Sequence, residues 1–316
     1  IDTAGELRDL PDIATAPDDL ATAEIDGRDV PLYVRYEQGV INRSVYEIAS
    51  VDPTPGDNDP TGPGWNRKVL YRFGGGCGAT YGQGTSLTSA AEPAYLTQGY
   101  AVATATFNTF AVQCNDVLSA ETVMMVSERI IEVFGTPQFT IGEGASGGAI
   151  QLHLLAQNYP GLIDGAVALL PFPDALSIAP GVTDCGLLLD YYAGAGRVLS
   201  DEQRQAINGH GSPATCATWA RTFLSGIDPS TGCDPKIDAA DIYDAETNRG
   251  GVRCTLQDAN RNQLGFDEAT GWARRPLDNL GVQYGLVDLN EGAITFDQFA
   301  QLNEEGGGYD IDGVIV

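Results

Sequence analysis

The pentapeptide Gly144-Ala145-Ser146-Gly147-Gly148 is the segment whose residue types most directly suggest chemistry. A serine between small residues, at a turn from a strand into a helix, is the G-x-S-x-G pattern of hydrolases that use a nucleophilic serine. The glycines are needed because such a turn packs tightly, so that larger side chains at Gly144 and Gly148 would clash. The alternative is a glycine-rich turn with a bystander serine. Because a predicted strand precedes Ser146 and a predicted helix follows it, we predict that Ser146 is a nucleophile.

A second glycine-rich segment, Phe73-Gly74-Gly75-Gly76-Cys77-Gly78, follows an earlier predicted strand. Lipases and esterases have an HGGG-type loop at this place, and one of its main-chain N–H groups joins that of the residue after the serine in an oxyanion hole. The sequence therefore predicts an oxyanion hole made by Gly147 and one donor among Gly75, Gly76 and Cys77. A nucleotide-binding loop is the competing interpretation, but the segment has neither a G-x-G-x-x-G pattern nor a Walker lysine.

A serine nucleophile needs a base, and the sequence contains only two histidines. His153 follows Ser146 by seven residues on the same predicted helix, which separates the two by about 10 Å along the helix axis. A direct hydrogen bond requires about 2.6–3.2 Å, so we predict that His153 is a packed helix residue. His210, in Asn208-Gly209-His210-Gly211, is the remaining candidate base within the sequence.

Three polar residues follow predicted core strands and are candidates for the catalytic acid or for lining the pocket. They are Asp174, which comes just after the fourth strand of the core, and Asn115 and Asp116, which follow Cys114. A turn or helix-capping role is the alternative for each of them.

The apolar periodicity alternates between that of strands and that of helices. Strands are predicted at residues 30–36, 45–51, 69–73, 100–107, 139–142 and 163–170, and helices at 91–98, 119–134 (with Ser119 as N-cap) and 147–158. From residue 69 onwards this alternation requires right-handed crossovers and a parallel sheet with helices on both faces. We predict an α/β-hydrolase-type fold with a mostly parallel sheet and an inserted, cysteine-containing cap domain.

The chain is predicted to have four parts: an N-terminal arm (1–27), the first part of the core (28–175), a cap or lid insertion (176–300) and a return segment (301–316). Short helices are expected at 201–208, 214–224 and 296–302. In this fold the acid and the histidine follow the serine on loops after later strands. No two such strands follow residue 170. We therefore expect a further polypeptide segment or a second chain to complete the sheet and to carry the catalytic histidine.

The overall composition excludes some classes of protein. The net charge of −26 nearly excludes a nucleic-acid partner, and no apolar run approaches the length of a membrane span. The six cysteines are widely spaced without a CxxC motif, which argues against zinc and favours disulfides and a secreted or periplasmic location. Cys77–Cys114 is the preferred pair among 15 possible connectivities, because each cysteine follows a predicted core strand. The segment at residues 288–299 resembles a calcium loop, but it lacks the twelfth-position glutamate, so we predict no metal site.

At residues 73–78, 113–116, 142–148 and 156–165 the sequence resembles an uncharacterised family of secreted bacterial α/β-hydrolase-like proteins, which is loosely similar to the tannase and feruloyl-esterase group. The resemblance runs from about Val30 to residue 313. It implies that Ser146 is the nucleophile and that family members are longer than this chain. Tannases carry a cysteine beside the serine, whereas the neighbours here are Ala145 and Gly147, so the resemblance does not imply specificity for tannins.

Together these features predict a serine esterase (EC 3.1.1) that cleaves a small-molecule or oligomeric ester through an acyl-Ser146 intermediate and needs no cofactor. One alternative is amide or peptide hydrolysis, which the turn at Ser146 does not distinguish from ester hydrolysis. Another is a catalytically inactive hydrolase fold used for binding, an interpretation that the shortage of a suitable histidine favours.

Overall fold

The computed structural model describes residues 1–10, 12–56, 62–86 and 88–316, which divide into two compact units. The first unit contains Ile1–Cys77 and Gln83–Asp174, and the second contains Gly78–Gly82 and Ala175–Val316. Residues 57–61 of the loop expected between the second and third predicted strands lie outside the described residues.

The first unit is built on a six-stranded sheet. Its strands are β3 (Val34–Ile41), β4 (Ser44–Val51), β5 (Lys68–Phe73), β6 (Ala101–Ala105), β7 (Phe139–Ala145) and β8 (Gly165–Leu169), and a separate antiparallel pair is formed by β1 (Thr22–Ile25) and β2 (Arg28–Pro31). The order across the sheet is β3-β4-β6-β5-β7-β8. The strands β5 to β8 run parallel, and β3 and β4 form an antiparallel hairpin beside them. This arrangement is that of the α/β-hydrolase fold, as the sequence predicted.

Both faces of this sheet are covered. On one face, α2 (Asp116–Phe134) and α3 (Gly147–Asn158) pack against alternate strand residues such as Tyr71 and Phe73. On the other face, Val102 belongs to a second apolar cluster. Burial on both faces explains why β6 is apolar except for Thr104, since an alternating pattern marks a strand with one wet face.

The N-terminal segment differs from the predicted surface arm. Ile1 and Ile25 are buried in the second apolar cluster, together with Leu96 of α1 (Pro93–Leu96). The acidic composition of residues 1–27 hid this packing, because a few apolar side chains anchor a stretch that is otherwise polar.

The prediction that Ser119 caps α2 was wrong. The helix begins three residues earlier, and the Asn115 side chain accepts a hydrogen bond from the Leu118 N–H at 3.0 Å. Ser119 lies inside the helix and is buried. Asparagine and serine are both good N-cap residues. Because Ser119 is buried within the helix, Asn115 is the residue that caps it.

The second unit contains mainly helices. They are α4 (Ala175–Ala193), α5 (Asp201–Asn208), α6 (Ala214–Phe223), α7 (Leu256–Ala259), α8 (Arg261–Leu264), α9 (Leu286–Asn290) and α10 (Phe296–Glu305). The sequence did not predict α4, which contains Pro180, a residue that usually breaks or kinks a helix. Its buried residues Leu188, Tyr191 and Tyr192 form an apolar cluster with Leu302 of α10, which stabilises the helix despite the proline.

An arginine at the centre of the second unit joins distant parts of the chain. The Arg253 guanidinium lies 4.3 Å from the ring centroids of both Tyr243 and Trp272. It also pairs with Asp258 at 3.1 Å and with Asp312 at 3.3 Å. Stacking on aromatic rings and pairing with two carboxylates offset the cost of burying this charge.

All six cysteines lie in the described part of the chain and are paired. The bonds are Cys77–Cys114, as predicted, Cys185–Cys216 and Cys233–Cys254. Among the described residues, no helix combines the length and apolarity needed to cross a membrane.

In the described part of the chain, β8 is the last strand of the sheet, with no strand paired along its outer edge, and it has an apolar exposed face. Ala168 packs against the core under α3, whereas Val167 and Leu169, on the opposite face, are 47% and 50% exposed. Leu170, directly after the strand, is 75% exposed. Parallel strands are usually buried on both faces, and folded proteins usually cover apolar edges, so this surface is unusual for a complete sheet.

Candidate active site

Ser146 occupies a strained turn between β7 and α3. Its φ of 56° and ψ of −118° lie in a region that residues with a side chain rarely adopt, at a cost of the order of 1–3 kcal/mol. The Ser146 N–H donates to the Leu169 carbonyl at 3.0 Å, and its own carbonyl accepts from the Ile150 N–H at 3.0 Å. The turn is thus fixed both to the neighbouring strand and to the first turn of the helix. Strain of this kind is concentrated at functional sites.

The glycines that follow Ser146 are required by close contacts with the neighbouring loop. A Cβ atom on Gly147 would lie 2.0 Å from the Gly76 carbonyl oxygen. A Cβ atom on Gly148 would lie 2.5 Å from the Phe73 carbonyl oxygen. Because both obstacles are backbone atoms, they cannot move aside cheaply, and α3 can approach β5 this closely only with glycine at these positions.

We therefore expect Gly148→Ala to destabilise the protein by about 1–3 kcal/mol, the usual range for an overpacked site. Alanine is otherwise a better helix former than glycine by about 1 kcal/mol. A Gly→Ala change at an unhindered helix position should therefore stabilise the protein. Gly181 in α4 is the matched control, because its added Cβ would meet only the Trp219 ring at 3.6 Å. Calorimetric melting of both variants checks the prediction, and equal or higher stability of Gly148→Ala would contradict it.

The structure brings the predicted oxyanion loop against the turn at Ser146. A Cβ atom placed on Gly75 would lie 3.6 Å from the Ser146 Cβ and 3.7 Å from the Gly147 nitrogen. Gly76 adopts a φ of +86°, a conformation that favours glycine. Cys77 ends the loop in its disulfide with Cys114. Gly75, Gly76 and Gly147 therefore lie together beside Ser146, and their role as donors to an oxyanion stays a prediction.

The candidates Asn115 and Asp116 both have structural contacts. Asn115 caps α2, as described above, which agrees with the capping alternative. The Asp116 carboxylate accepts a hydrogen bond from the Asn158 amide at 3.1 Å, which joins the start of α2 to the end of α3. Asp174, the third candidate, is the last residue of the first unit and is partly buried directly before α4. Their roles as acid or pocket residues stay predictions.

The two histidines have different surroundings. His153 lies on α3, and its Nδ1 is 3.0 Å from the Phe172 carbonyl oxygen, which agrees with a packed helix residue. His210 lies in the second unit, where its Nε2 is 3.7 Å from the Cys185 sulfur and its ring is 5.7 Å from that of Trp219. Cys185, His210 and Cys216 could together hold a metal by their spacing. The two sulfurs, however, are bonded to each other, and a disulfide offers no thiolate to a metal.

Sequence reasoning missed a group of buried polar residues behind the site. Gln151 on α3, Ser119 on α2, Asn108 after β6 and Tyr71 on β5 are connected by hydrogen bonds. The one local signal was Gln151 itself, a polar residue in the apolar run Gly147-Gly-Ala-Ile-Gln-Leu152. Its partners could not be identified, because they lie far apart in the sequence.

The strand order, the turn at Ser146 and the adjacent glycine loop belong to an α/β-hydrolase fold. More specifically, the chain belongs to a tannase-like family of unknown function, whose model matches residues 2–316. This match confirms the resemblance found in the sequence. No curated protein matches the chain.

The chain is also similar to several solved structures. An esterase from Aspergillus oryzae is 14% identical with a TM-score of 0.35, and the match covers 90% of this chain and 62% of that one. A siderophore hydrolase from Aspergillus fumigatus is 18% identical (TM-score 0.30; 57% and 52% covered). Oligopeptidase B from Trypanosoma brucei is 18% identical (TM-score 0.32; 46% and 21% covered). The chain spans less than two thirds of the length of each, and none of these similarities is close enough to transfer a function.

Proposed function

We propose that this protein is a secreted serine hydrolase that cleaves a carboxylic ester through an acyl-Ser146 intermediate. The observation that carries the proposal is the strained backbone of Ser146 beside Gly75 and Gly76. A turn that only needed to connect β7 to α3 would gain stability from a glycine at this position. Retaining a serine there at a cost in free energy favours a chemical role.

The reaction follows from this arrangement. The Ser146 hydroxyl loses its proton to a general base, and its oxygen attacks the ester carbonyl carbon. The negative charge moves to the carbonyl oxygen, where the Gly147 N–H and one N–H of the 75–77 loop stabilise it. The carbonyl re-forms as its bond to the alcohol oxygen breaks, and the base gives its proton to that oxygen. Water, losing a proton to the same base, then attacks the acyl-serine carbonyl, and the bond to the Ser146 oxygen breaks to release the acid and restore the serine hydroxyl. An amide would follow the same path, so substrate assays must decide between the two.

The general base comes from polypeptide outside residues 1–316, either a further stretch of the same polypeptide or a second chain. Within the first unit, His153 is turned towards the Phe172 carbonyl and lies seven residues along α3 from Ser146. The exposed apolar face and free edge of β8 offer a place for a further parallel strand. In this fold the later strands carry the acid and the histidine.

A secreted location accords with the three disulfides, since such bonds persist mainly in oxidising compartments. The strongly acidic composition suits a protein that stays dissolved outside the cell.

A fluorophosphonate probe is expected to label Ser146 in the complete native protein, because such probes react with activated serines. Peptide mapping by mass spectrometry identifies the labelled residue, and Ser127 on α2, which is partly exposed, provides an internal control for non-specific reaction. Labelling of a different serine, or none above the level at Ser127, would overturn the proposal. It would then favour a binding protein with an inactive hydrolase fold.

A further inference from the structure

Gln151 lies on α3 five residues after Ser146, with its side chain fully buried. Its Nε2 donates to the carbonyl oxygens of Gly74 and Asn108, each at 3.0 Å. Its Oε1 accepts from the Ser119 hydroxyl at 2.7 Å. The opposite amide orientation would place Oε1 against two carbonyl oxygens, so the surroundings permit only one orientation.

The hydrogen bonds that Ser119 and its neighbours make fix which group donates to the Gln151 side chain. Asn108 donates from Nδ2 to the Ser119 hydroxyl oxygen at 2.9 Å and accepts at Oδ1 from the Tyr71 hydroxyl at 2.7 Å. Burial raises the pKa of Tyr71, so its hydroxyl stays protonated and donates. The network thus runs from β5 through α2 to α3 with a defined donor at each step. Buried networks satisfied in this way hold one arrangement, since a half-satisfied one is costly.

This network contacts the candidate oxyanion loop at the Gly74 carbonyl. The peptide unit is planar and trans, so the Gly74 carbonyl and the Gly75 N–H point in opposite directions. The Gly74 carbonyl is held by the Gln151 amide and also accepts from the Phe110 N–H at 3.1 Å. The Gly75 N–H is therefore turned away from the buried amide. In the next peptide unit, the Gly75 carbonyl accepts from the Ala111 N–H at 2.8 Å, which fixes the Gly76 N–H in the same way.

We propose that Gln151 is a positioning residue for the oxyanion hole. It is carried by the helix that begins at Ser146, and it holds the loop that supplies the second oxyanion donor. The two halves of the hole, Gly147 on α3 and the 75–77 loop after β5, are thereby kept in register by one side chain. This inference rests on the proposed function of Ser146.

The test uses Gln151→Met in the complete native protein. Methionine fills a similar volume but cannot hold the Gly74 carbonyl, so kcat per titrated Ser146 should fall by about 10- to 100-fold with little change in KM, as for a misplaced or lost oxyanion donor. Leu152→Met is the matched control, because it changes the adjacent buried residue of α3 by a volume-conserving exchange.

A second pair of variants tests the inference even if Gln151→Met does not fold. Ser119→Ala removes the donor to the Gln151 amide and should lower kcat in the same direction by a smaller factor. Thr122→Val, one turn further along α2, removes another buried hydroxyl that bonds to the Leu118 carbonyl. It should leave kcat per titrated site unchanged.

Two readouts separate positioning from general destabilisation. The affinity for a boronic acid, which imitates the tetrahedral intermediate, should fall by the same factor as kcat/KM. Amide hydrogen exchange in residues 74–77 should accelerate in Gln151→Met but not in Leu152→Met. Unchanged boronic-acid affinity and exchange would overturn the inference. If the wild type neither reacts with the probe nor hydrolyses esters, the proposed function is overturned even when the loop is loosened in Gln151→Met, and the positioning role of Gln151 falls with it.

Discussion

Replacing Ser146 with alanine is expected to lower kcat for a short-chain p-nitrophenyl ester by about 10⁴- to 10⁶-fold in the complete native protein, the range observed when one member of a catalytic triad is removed. Some hydrolysis above the uncatalysed rate should persist, because the oxyanion donors and substrate contacts remain. The fold should survive the change. The Ser146 side chain makes no capping hydrogen bond to α3, and alanine bears the same backbone strain as serine.

Ser146→Gly distinguishes a catalytic serine from a structural one. Glycine adopts a φ of 56° without strain, so this variant should be inactive and yet more stable than the wild type by up to about 1 kcal/mol. A structural serine would show the reverse, with activity retained and stability lost. Steady-state kinetics and calorimetric melting of Ser146→Ala and Ser146→Gly distinguish the catalytic role from the structural one, with Ser127→Ala as the control. Ester hydrolysis by Ser146→Ala at the wild-type rate would exclude Ser146 as the nucleophile.

The elements around Ser146 could be predicted from the sequence because their signals are local. The helix predicted at residues 147–158 matches α3, since glycines mark its start and Tyr159-Pro160 its end. The strands β5 to β8 were each recognised from a short apolar run, with errors of a few residues at their ends. The bond Cys77–Cys114 followed from the positions of the two cysteines after core strands. In each case, neighbours in the sequence determine the structure.

Predictions failed where distant contacts decide the outcome. Ser119 resembles an N-cap until Gln151, 32 residues away, is known to accept its hydrogen bond. The helix α4 was not predicted, and its apolar residues Leu188, Tyr191 and Tyr192 pack in a cluster with Leu302 of α10. Likewise, Ile1 anchors the N-terminal segment only because Ile25 and the strands beside it form an apolar cluster. Such tertiary contacts override local propensity.

The candidate site was predicted in part for the same reason. The turn at Ser146 and the glycine loop each have a local motif, and the structure brings them together. The motifs could not indicate what holds them in place, which is a set of buried amides and hydroxyls from four separate elements. Which histidine acts as the base also depends on tertiary structure. A base is identified by its distance from the serine and not by the residues that flank it in the sequence.

The absence of a base near Ser146 on its own helix leads to the remaining prediction. Residues 1–316 expressed alone are expected to hydrolyse esters about 10⁴- to 10⁶-fold more slowly than the complete native protein, the range associated with loss of a triad histidine. The same chain should dissolve poorly, since the apolar face of β8 stays exposed and an open strand edge promotes association. Supplying the further segment or second chain should restore ester hydrolysis and solubility. Its strand would cover β8, and its histidine would reach the Ser146 hydroxyl.

The experiment compares residues 1–316 with the complete native protein by ester hydrolysis and by light scattering, and His210→Gln is introduced into each. We expect no effect of His210→Gln on hydrolysis by the complete protein, since this residue packs beside the Cys185–Cys216 disulfide and the Trp219 ring. Lysines or glutamates at Val167 and Leu169 should improve the solubility of residues 1–316 without restoring activity, which separates the open edge from the missing base. If residues 1–316 instead form a stable monomer with full activity that His210→Gln abolishes, His210 is the base and the sheet needs no further strand for catalysis.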